Sequence, residues 1–482
     1  MSGMNRIPGS GRTRVLGVIG GIEPMSGADF LLRLAEATQA AGAASSIDII
    51  FEQQHATGHG ADPKAELAAR QMYLFDRIEG FRARGASVVV LPGFASLAFM
   101  QELKANSPLP IADMLEALLE HVQSQFPQVR RIGVLTTPQL QQDGLFERYF
   151  GEAGIAVCYP VRGVVPEGML PADALYLCSA DLLRQGAQLL LPAIADLAIA
   201  ARHVQLGLPL IDAHQVYARH VAVTDFAPPL RPFKLGVVGG VGPAATVDFM
   251  EKFVRHTPAQ RDQDHIKVMV EQNPQIPDRT DYLLGKGVDP TLALYATCRK
   301  LQSGEADLIA IPCNTAHAFI DRIQPHLDVP ILNMLTITVG HIRELFPTLR
   351  MVGLLATSGT LASGIYRQSL EAQGLEEITP PPLMQQRVMN AIYGPEGVKA
   401  GFTAGQCMED LSAAIDDLAA RGARVIILGC TELPLVYSSG EGRSRSGHRV
   451  LFVDPTEILA IRCVAWAMDI SGPRLADTAE SE

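Results

Sequence analysis

Two cysteines stand where proton chemistry is easiest to build. In DLIAIPCNTAH, Asp307 to His317, the apolar run Leu308 to Ile311 reads as a buried strand. Pro312 ends it, and Cys313 follows with Asn314 and Thr315 behind it. Ala316, Ala318, Phe319 and Ile320 then begin a helical pattern, so Cys313 falls between the carboxyl end of a strand and the amino end of a helix. Open α/β sheets place ligands at such points. Unpaired N–H groups and the helix dipole favour an anion there, which lowers a thiol's pKa. RVIILGCTELP, Arg424 to Pro434, repeats the construction around Cys430, followed by Thr431 and Glu432. Two thiols in matching positions make a proton pair. One thiolate removes a proton and the other thiol returns one to the opposite face, which suits inversion at a carbon beside a carboxylate.

The elements that must position these thiols come in two sets. With 482 residues, the chain is too long for one core. Its 48% apolar and 19% charged residues are ordinary for a globular α/β protein. At Arg14 the chain reads RVLGVIGGIEPMSGADF, and at Lys234 it reads KLGVVGGVGPAATVDF. Gly20, Pro24 and Asp29 return as Gly239, Pro243 and Asp248, each 219 residues later. Ile132 to Leu135 returns as Val352 to Leu355, 220 residues on. The chain is therefore read as a tandem repeat of a unit of roughly 220 residues. Expected boundaries are a disordered tail at 1–13, a first domain at 14–224, a Pro-rich linker at 225–233, a second domain at 234–470 and a tail at 471–482.

Strands alternating with amphipathic helices predict mostly parallel sheets in each copy. In the second copy the expected strands are Leu235–Val238, Ile266–Val270, Leu308–Ile311, Ile331–Leu332, Met351–Leu355, Val425–Leu428 and Val450–Val453. A break after Met334 divides that copy into two α/β lobes, the second starting near Met351. One cysteine strand then lies in each lobe, and a cleft between lobes would bring the thiols together.

The net charge of −11 argues against general nucleic-acid binding. Seven cysteines at 158, 178, 298, 313, 407, 430 and 463 form no CxxC, no metal-ligand spacing and no secreted disulfide framework. Reduced thiols in the cytoplasm are expected. The polar first 13 residues carry no signal-peptide core, and no apolar run is long enough to span a bilayer.

Several ordered segments of the second copy resemble the aspartate/glutamate racemase family, the cofactor-independent amino-acid racemases. They are GGVGP (239–243), TPAQRDQDH (257–265), NPQIPDRT (273–280), IPCNTAH (311–317), LLATSGTLASGIY (354–366), AIYGPEGVKAG (391–401) and GCTEL (429–433). The resemblance implies an α/β fold of two pseudo-symmetric lobes, with mostly parallel sheets flanked by helices. It implies a small amino-acid substrate, no cofactor and no metal, with Cys313 and Cys430 as the catalytic pair. Asn314, Thr315 and Thr431 would hold the α-carboxylate, although all three residue types also cap helices. Arg279 would grip a side-chain carboxylate, for which a bidentate fork is suited, and Lys399 would contact substrate. Gln275, Asp278 and Thr280 would shape the Arg279 loop or touch the ligand. Glutamate racemases of the cell-wall pathway carry histidine after the second Cys-Thr. Glu432 in that place leans the resemblance toward the aspartate/glutamate branch. His317, four residues after Cys313, either tunes the thiol or packs.

The first copy departs from this pattern. By the repeat, Cys313 becomes Gly93, Cys430 becomes Ile194, and Asn314 and Thr315 become Phe94 and Ala95. The Arg279 loop becomes QHATGHGA, Gln54 to Ala61, with no arginine. Both bases and the clamp are missing, so residues 14–224 are expected to be a catalytically dead partner. Family enzymes pair as homodimers, and a fused copy could supply that interface as an intramolecular pseudo-dimer, with further homo-oligomers open. The alternatives are a related isomerase of the maleate or hydantoin type, or a regulatory protein whose first half senses a metabolite.

Overall fold

A computed structural model describes residues 14–20, 23–40, 47–53, 63–161, 169–229 and 231–468. The expected tails and the segment Gln54 to Ala61 lie outside the described residues. The chain divides into two compact units between Arg231 and Pro232.

In the first unit, β1 (Arg14–Ile19), β2 (Ile47–Glu52), β3 (Val88–Val90) and β4 (Ile111–Ala112) form one sheet in the order β2-β1-β3-β4. A second sheet, β6-β5-β7, is built from β5 (Arg131–Leu135), β6 (Ala156–Cys158) and β7 (Leu189–Pro192). All these pairs are parallel. Parallel neighbours need a long crossover, and helices supply it. Strands covered on both faces become continuous apolar runs. Val88, Val89 and Val90 of β3 are accordingly all buried.

The second unit repeats this order. In its first lobe β8 (Lys234–Gly239), β9 (Lys267–Gln272) and β10 (Leu308–Ala310) pair as β10-β8-β9. The expected strand at Ile331–Leu332 is reduced to a single parallel bridge, Ile309 to Ile331. The second lobe has β11 (Met351–Leu355), β12 (Glu376–Ile378), β13 (Val425–Leu428), β14 (Gly440–Arg443) and β15 (Arg449–Val453), in the order β12-β11-β13-β15-β14. Only the β14–β15 pair is antiparallel among the described strands. The fold is thus α/β, a tandem of two-lobed units with mostly parallel sheets flanked by helices.

The last helix, Pro455–Ala467, returns to the first lobe. Its Leu459, Ala460 and Cys463 share a core with Leu235, Phe249 and Leu308. Lys252, on the helix Pro243–His256, bonds both Asp248 and Asp454, the latter at 2.6 Å. Asp454 also caps the last helix by accepting from the Thr456 N–H. One buried ammonium therefore fastens the start of the helix Pro455–Ala467 to the helix Pro243–His256. Among the described residues no helix is long and apolar enough to cross a membrane.

Candidate active site

Cys313 lies three residues past the end of β10, and Cys430 two residues past the end of β13. Regular helix does not begin at once after either cysteine; after Cys313 it is delayed to the single turn Ile320–Ile323. A 3-10 turn, Thr315–Phe319, follows Cys313, and a shorter one, Leu433–Leu435, follows Cys430. His317 explains the first: its N–H bonds Asn314 O, three residues back, and its ring holds the loop. In the second, Pro434 stands in the first turn, and the Leu435, Val436 and Tyr437 N–H groups close it on Glu432 O and Leu433 O. The anion site expected at these points must therefore rest on individual donors more than on a helix dipole.

Those donors converge on one tight cleft between the two lobes of the second unit. Cys313 and Cys430 both line it, with Arg279, Thr280, Asn314, Thr315, Lys399 and Thr431. Gln275 and Asp278 are not among the lining residues. Gln275 is exposed. Asp278 caps the short helix Arg279–Leu283 through the Asp281 N–H and accepts from Tyr393 Oη at 3.2 Å. Both belong to the frame of the loop.

The loop is held tightly. Gly240 has φ +83°, and a Cβ there would lie 2.5 Å from the Asn273 backbone. Only glycine allows that approach. Arg279 emerges buried, its Nη1 donating to Ile276 O and Pro277 O, while its Nε has no partner. Burial works against its charge, but the Cys313 and Asp278 side chains outweigh it and hold the guanidinium above its ordinary pKa. Asn314 is 1% exposed; its Oδ1 accepts from Tyr366 Oη at 2.6 Å and its Nδ2 is unpartnered. Buried donors left unpaired cost about 1–3 kcal/mol each, so these two atoms mark a place for an acceptor.

Threonine hydroxyls tie the lobes beside the thiols. Thr280 donates to Thr357 at 3.0 Å, and Thr315 meets Thr360 at 2.7 Å. Gly359 lets this happen: a Cβ there would be 2.6 Å from Thr280 Cα. On the far side, the Cys430 thiol donates to Glu432 Oε2 at 3.0 Å. The other oxygen, Oε1, takes the Lys399 ammonium at 2.5 Å. Burial, and then the Glu432 carboxylate, push the Cys430 thiol well above its usual pKa, with Lys399 opposing them. The two thiols thus have unlike neighbours, a guanidinium by Cys313 and a carboxylate by Cys430.

The model of the Asp/Glu/Hydantoin racemase family matches the chain twice, over residues 19–221 and 238–463. The chain belongs to this family. It is 28% identical to the broad specificity amino-acid racemase RacX of Bacillus subtilis, over 42% of this chain and 86% of that protein. It is 29% identical to a glutamate racemase of Corynebacterium diphtheriae, over 31% of this chain and 53% of that one. Among solved structures, Picrophilus torridus aspartate racemase is similar at 28% identity and a TM-score of 0.43, over 49% of this chain and 94% of that one.

Within this racemase family frame, four lining residues were not singled out as site residues by sequence: Val241, Thr357, Tyr393 and Glu432. Each lies inside a motif already quoted, so position in the motif was the available signal. Their contacts were not.

The first unit carries a contrasting arrangement. Gly93 lies three residues past β3, as Cys313 does past β10. Glu23 Oε2 accepts from the Phe94 N–H at 2.8 Å and from Ser26 Oγ at 3.0 Å, and Oε1 accepts from the Ala95 N–H at 3.3 Å. A carboxylate of the chain itself occupies the N–H groups that correspond to Asn314 and Thr315. By the repeat, position 23 corresponds to Gly242, which has no side chain to place there.

Proposed function

We propose that the second unit racemises an acidic amino acid, aspartate or glutamate, without pyridoxal phosphate, using Cys313 and Cys430 as a two-base pair. The observation that carries this is the meeting of both thiols with two unpartnered buried donors, Arg279 Nε and Asn314 Nδ2, in one cavity. The α-carboxylate of the substrate satisfies Asn314 Nδ2 and its side-chain carboxylate satisfies Arg279 Nε, which together hold Cα between the thiols. One sulfur takes the α-proton, leaving the electron pair of the broken C–H bond on Cα. The other gives its proton to the opposite face. The buried donors face the charge that develops on the carboxylate, and the small cavity excludes water. Arg279 favours a second carboxylate on the substrate side chain.

A wider substrate range is the second reading. Lys399, the other cation at the cavity, is already paired with Glu432, so Arg279 alone would select acidic side chains.

The test is α-proton exchange in heavy water, followed by proton NMR and chiral analysis, without added pyridoxal phosphate. L-Aspartate, L-glutamate and a panel of neutral amino acids are each tried. Exchange with matching D-isomer from the acidic pair is expected, and exchange across the panel would favour the wider range. Cys313→Ala and Cys430→Ala are each expected to abolish racemisation. Full turnover in Cys430→Ala would sink the two-base reading.

A further inference from the structure

We infer that Tyr366 is a positioning residue: its hydroxyl fixes the Asn314 amide with Nδ2 toward the cleft, which selects an ionised α-carboxylate over an α-carboxamide. This rests on the reading above, in which the α-carboxylate of the substrate meets Asn314.

An asparagine amide can present either its oxygen or its nitrogen, and its partners decide which. Tyr366 lies on the helix Ile365–Glu371 of the second lobe, and Asn314 lies just past β10 of the first. The bond from Tyr366 Oη to Asn314 Oδ1, at 2.6 Å, is the one hydrogen bond of this hydroxyl among the described residues. Burial, and then the charge of Asp454, hold the phenol far above its ordinary pKa of 10.0, so the proton stays on oxygen and must be donated. Were the amide turned round, Nδ2 would face Oη and the buried phenol proton would have no acceptor. The amide therefore keeps Oδ1 on the tyrosine and leaves Nδ2 unpartnered in the wall of the cleft.

The first unit lacks both groups at once. By the repeat, Asn314 becomes Phe94, and GIY at 364–366 falls on GLF at 144–146, so Tyr366 becomes Phe146. Phe146 stands on the matching helix, Leu145–Glu152, and is as fully buried as Tyr366. Each ring packs in a hydrophobic core of its own unit. The ring is what the fold uses at this position. The hydroxyl occurs only in the copy that has an amide for it to hold, whereas a hydroxyl required by the fold would be present in both.

Tyr366→Phe gives this position the residue that the first unit carries, so the variant should fold. Binding is measured by isothermal titration in the full-length Cys313→Ala/Cys430→Ala background. The ligands are L-aspartate and L-glutamate and their α-carboxamides, L-isoasparagine and L-isoglutamine. With Tyr366 in place the carboxylates should bind at least about tenfold tighter than the carboxamides. Tyr366→Phe should weaken carboxylate binding by about tenfold and carboxamide binding by less than about threefold, because the freed amide can turn Oδ1 to a carboxamide N–H. Once Asn314→Ala is added, Tyr366→Phe should change neither. A loss shared equally by both kinds of ligand, or an equal loss without Asn314, would overturn the positioning role. Exchange of the α-proton of aspartate and glutamate in heavy water by the native protein is measured alongside. Exchange there, with carboxylate binding untouched by Tyr366→Phe, would overturn this inference alone. Absence of both exchange and binding would overturn the racemase reading beneath it, and this inference with it.

Discussion

His317 holds the Cys313 loop by both ring nitrogens. The Met334 N–H donates to Nε2 at 3.0 Å, so the proton is on Nδ1, which donates to Cys313 O at 2.8 Å. The ring grips the backbone of the cysteine, and burial pushes its pKa down to about 4 from 6.5. The stability consequence has a definite sign. Between those values the unfolded chain binds a proton that the folded chain refuses, so stability is complete above about pH 6.5 and is lost as pH falls toward 4. The shift corresponds to about 3 kcal/mol. Urea unfolding at pH 7 and pH 4.5 should show that loss for the second unit, and His317→Gln should flatten it; an unchanged slope in the variant would rule the ring out as its source. Arg279 makes a sharper demand on chemistry. Lysine cannot present a planar fork, so Arg279→Lys should raise KM for an acidic substrate by about tenfold or more, read from initial rates.

At the scale of elements, the helices Pro243–His256 and Pro455–Ala467 of the second unit are tied through one ammonium. Lys252 is 7% exposed and neutralises two carboxylates, Asp248 and Asp454. Removing it leaves the buried Asp454 and the half-buried Asp248 without a cation, so Lys252→Ala should cost about 3 kcal/mol in urea unfolding. The exposed Arg255–Glu457 pair beside it offers a control: Arg255→Ala should cost about 0.5 kcal/mol. A loss no larger for Lys252 would mean the tie is not structural. The same scale shows what sequence could reveal. β8, β11 and β13 were legible because apolar β-rich runs end at glycine or a turn. β12 was not, because EEI is three residues with two acids and gains strand form only beside β11. β14, with sequence GEGR, has no strand pattern of its own and exists through its antiparallel register on β15. The cysteines were legible for the same reason as their strands. The Glu432 contact was not, since it depends on Lys399 approaching from 33 residues away and on the room left by Gly242. The Thr280–Thr357 bond, 77 residues apart, likewise needs both lobes in place.

At the scale of the whole molecule, one duplicated fold has been resolved into two different sites. Both units keep the strand order and the turn after the third strand. The second turn carries a cysteine and faces a cavity with unpartnered donors. The first carries Gly93, and its Phe94 and Ala95 N–H groups are taken by Glu23. A carboxylate held by two N–H groups and a serine hydroxyl is already satisfied, and a charge-assisted bond of this kind is stronger than a neutral one. An incoming amino acid would have to displace Glu23 and leave its charge in a half-buried place. The first unit should therefore bind no acidic amino acid, and the full-length chain should take up one per molecule. Isothermal titration of the full-length Cys313→Ala/Cys430→Ala variant with L-aspartate and L-glutamate separates binding from turnover and counts the sites. A stoichiometry near one is expected, and Arg279→Ala in the same background should remove it. A stoichiometry near two, or a site that survives the loss of Arg279, would place a working carboxylate pocket in the first unit and reverse the assignment of Glu23 as its occupant.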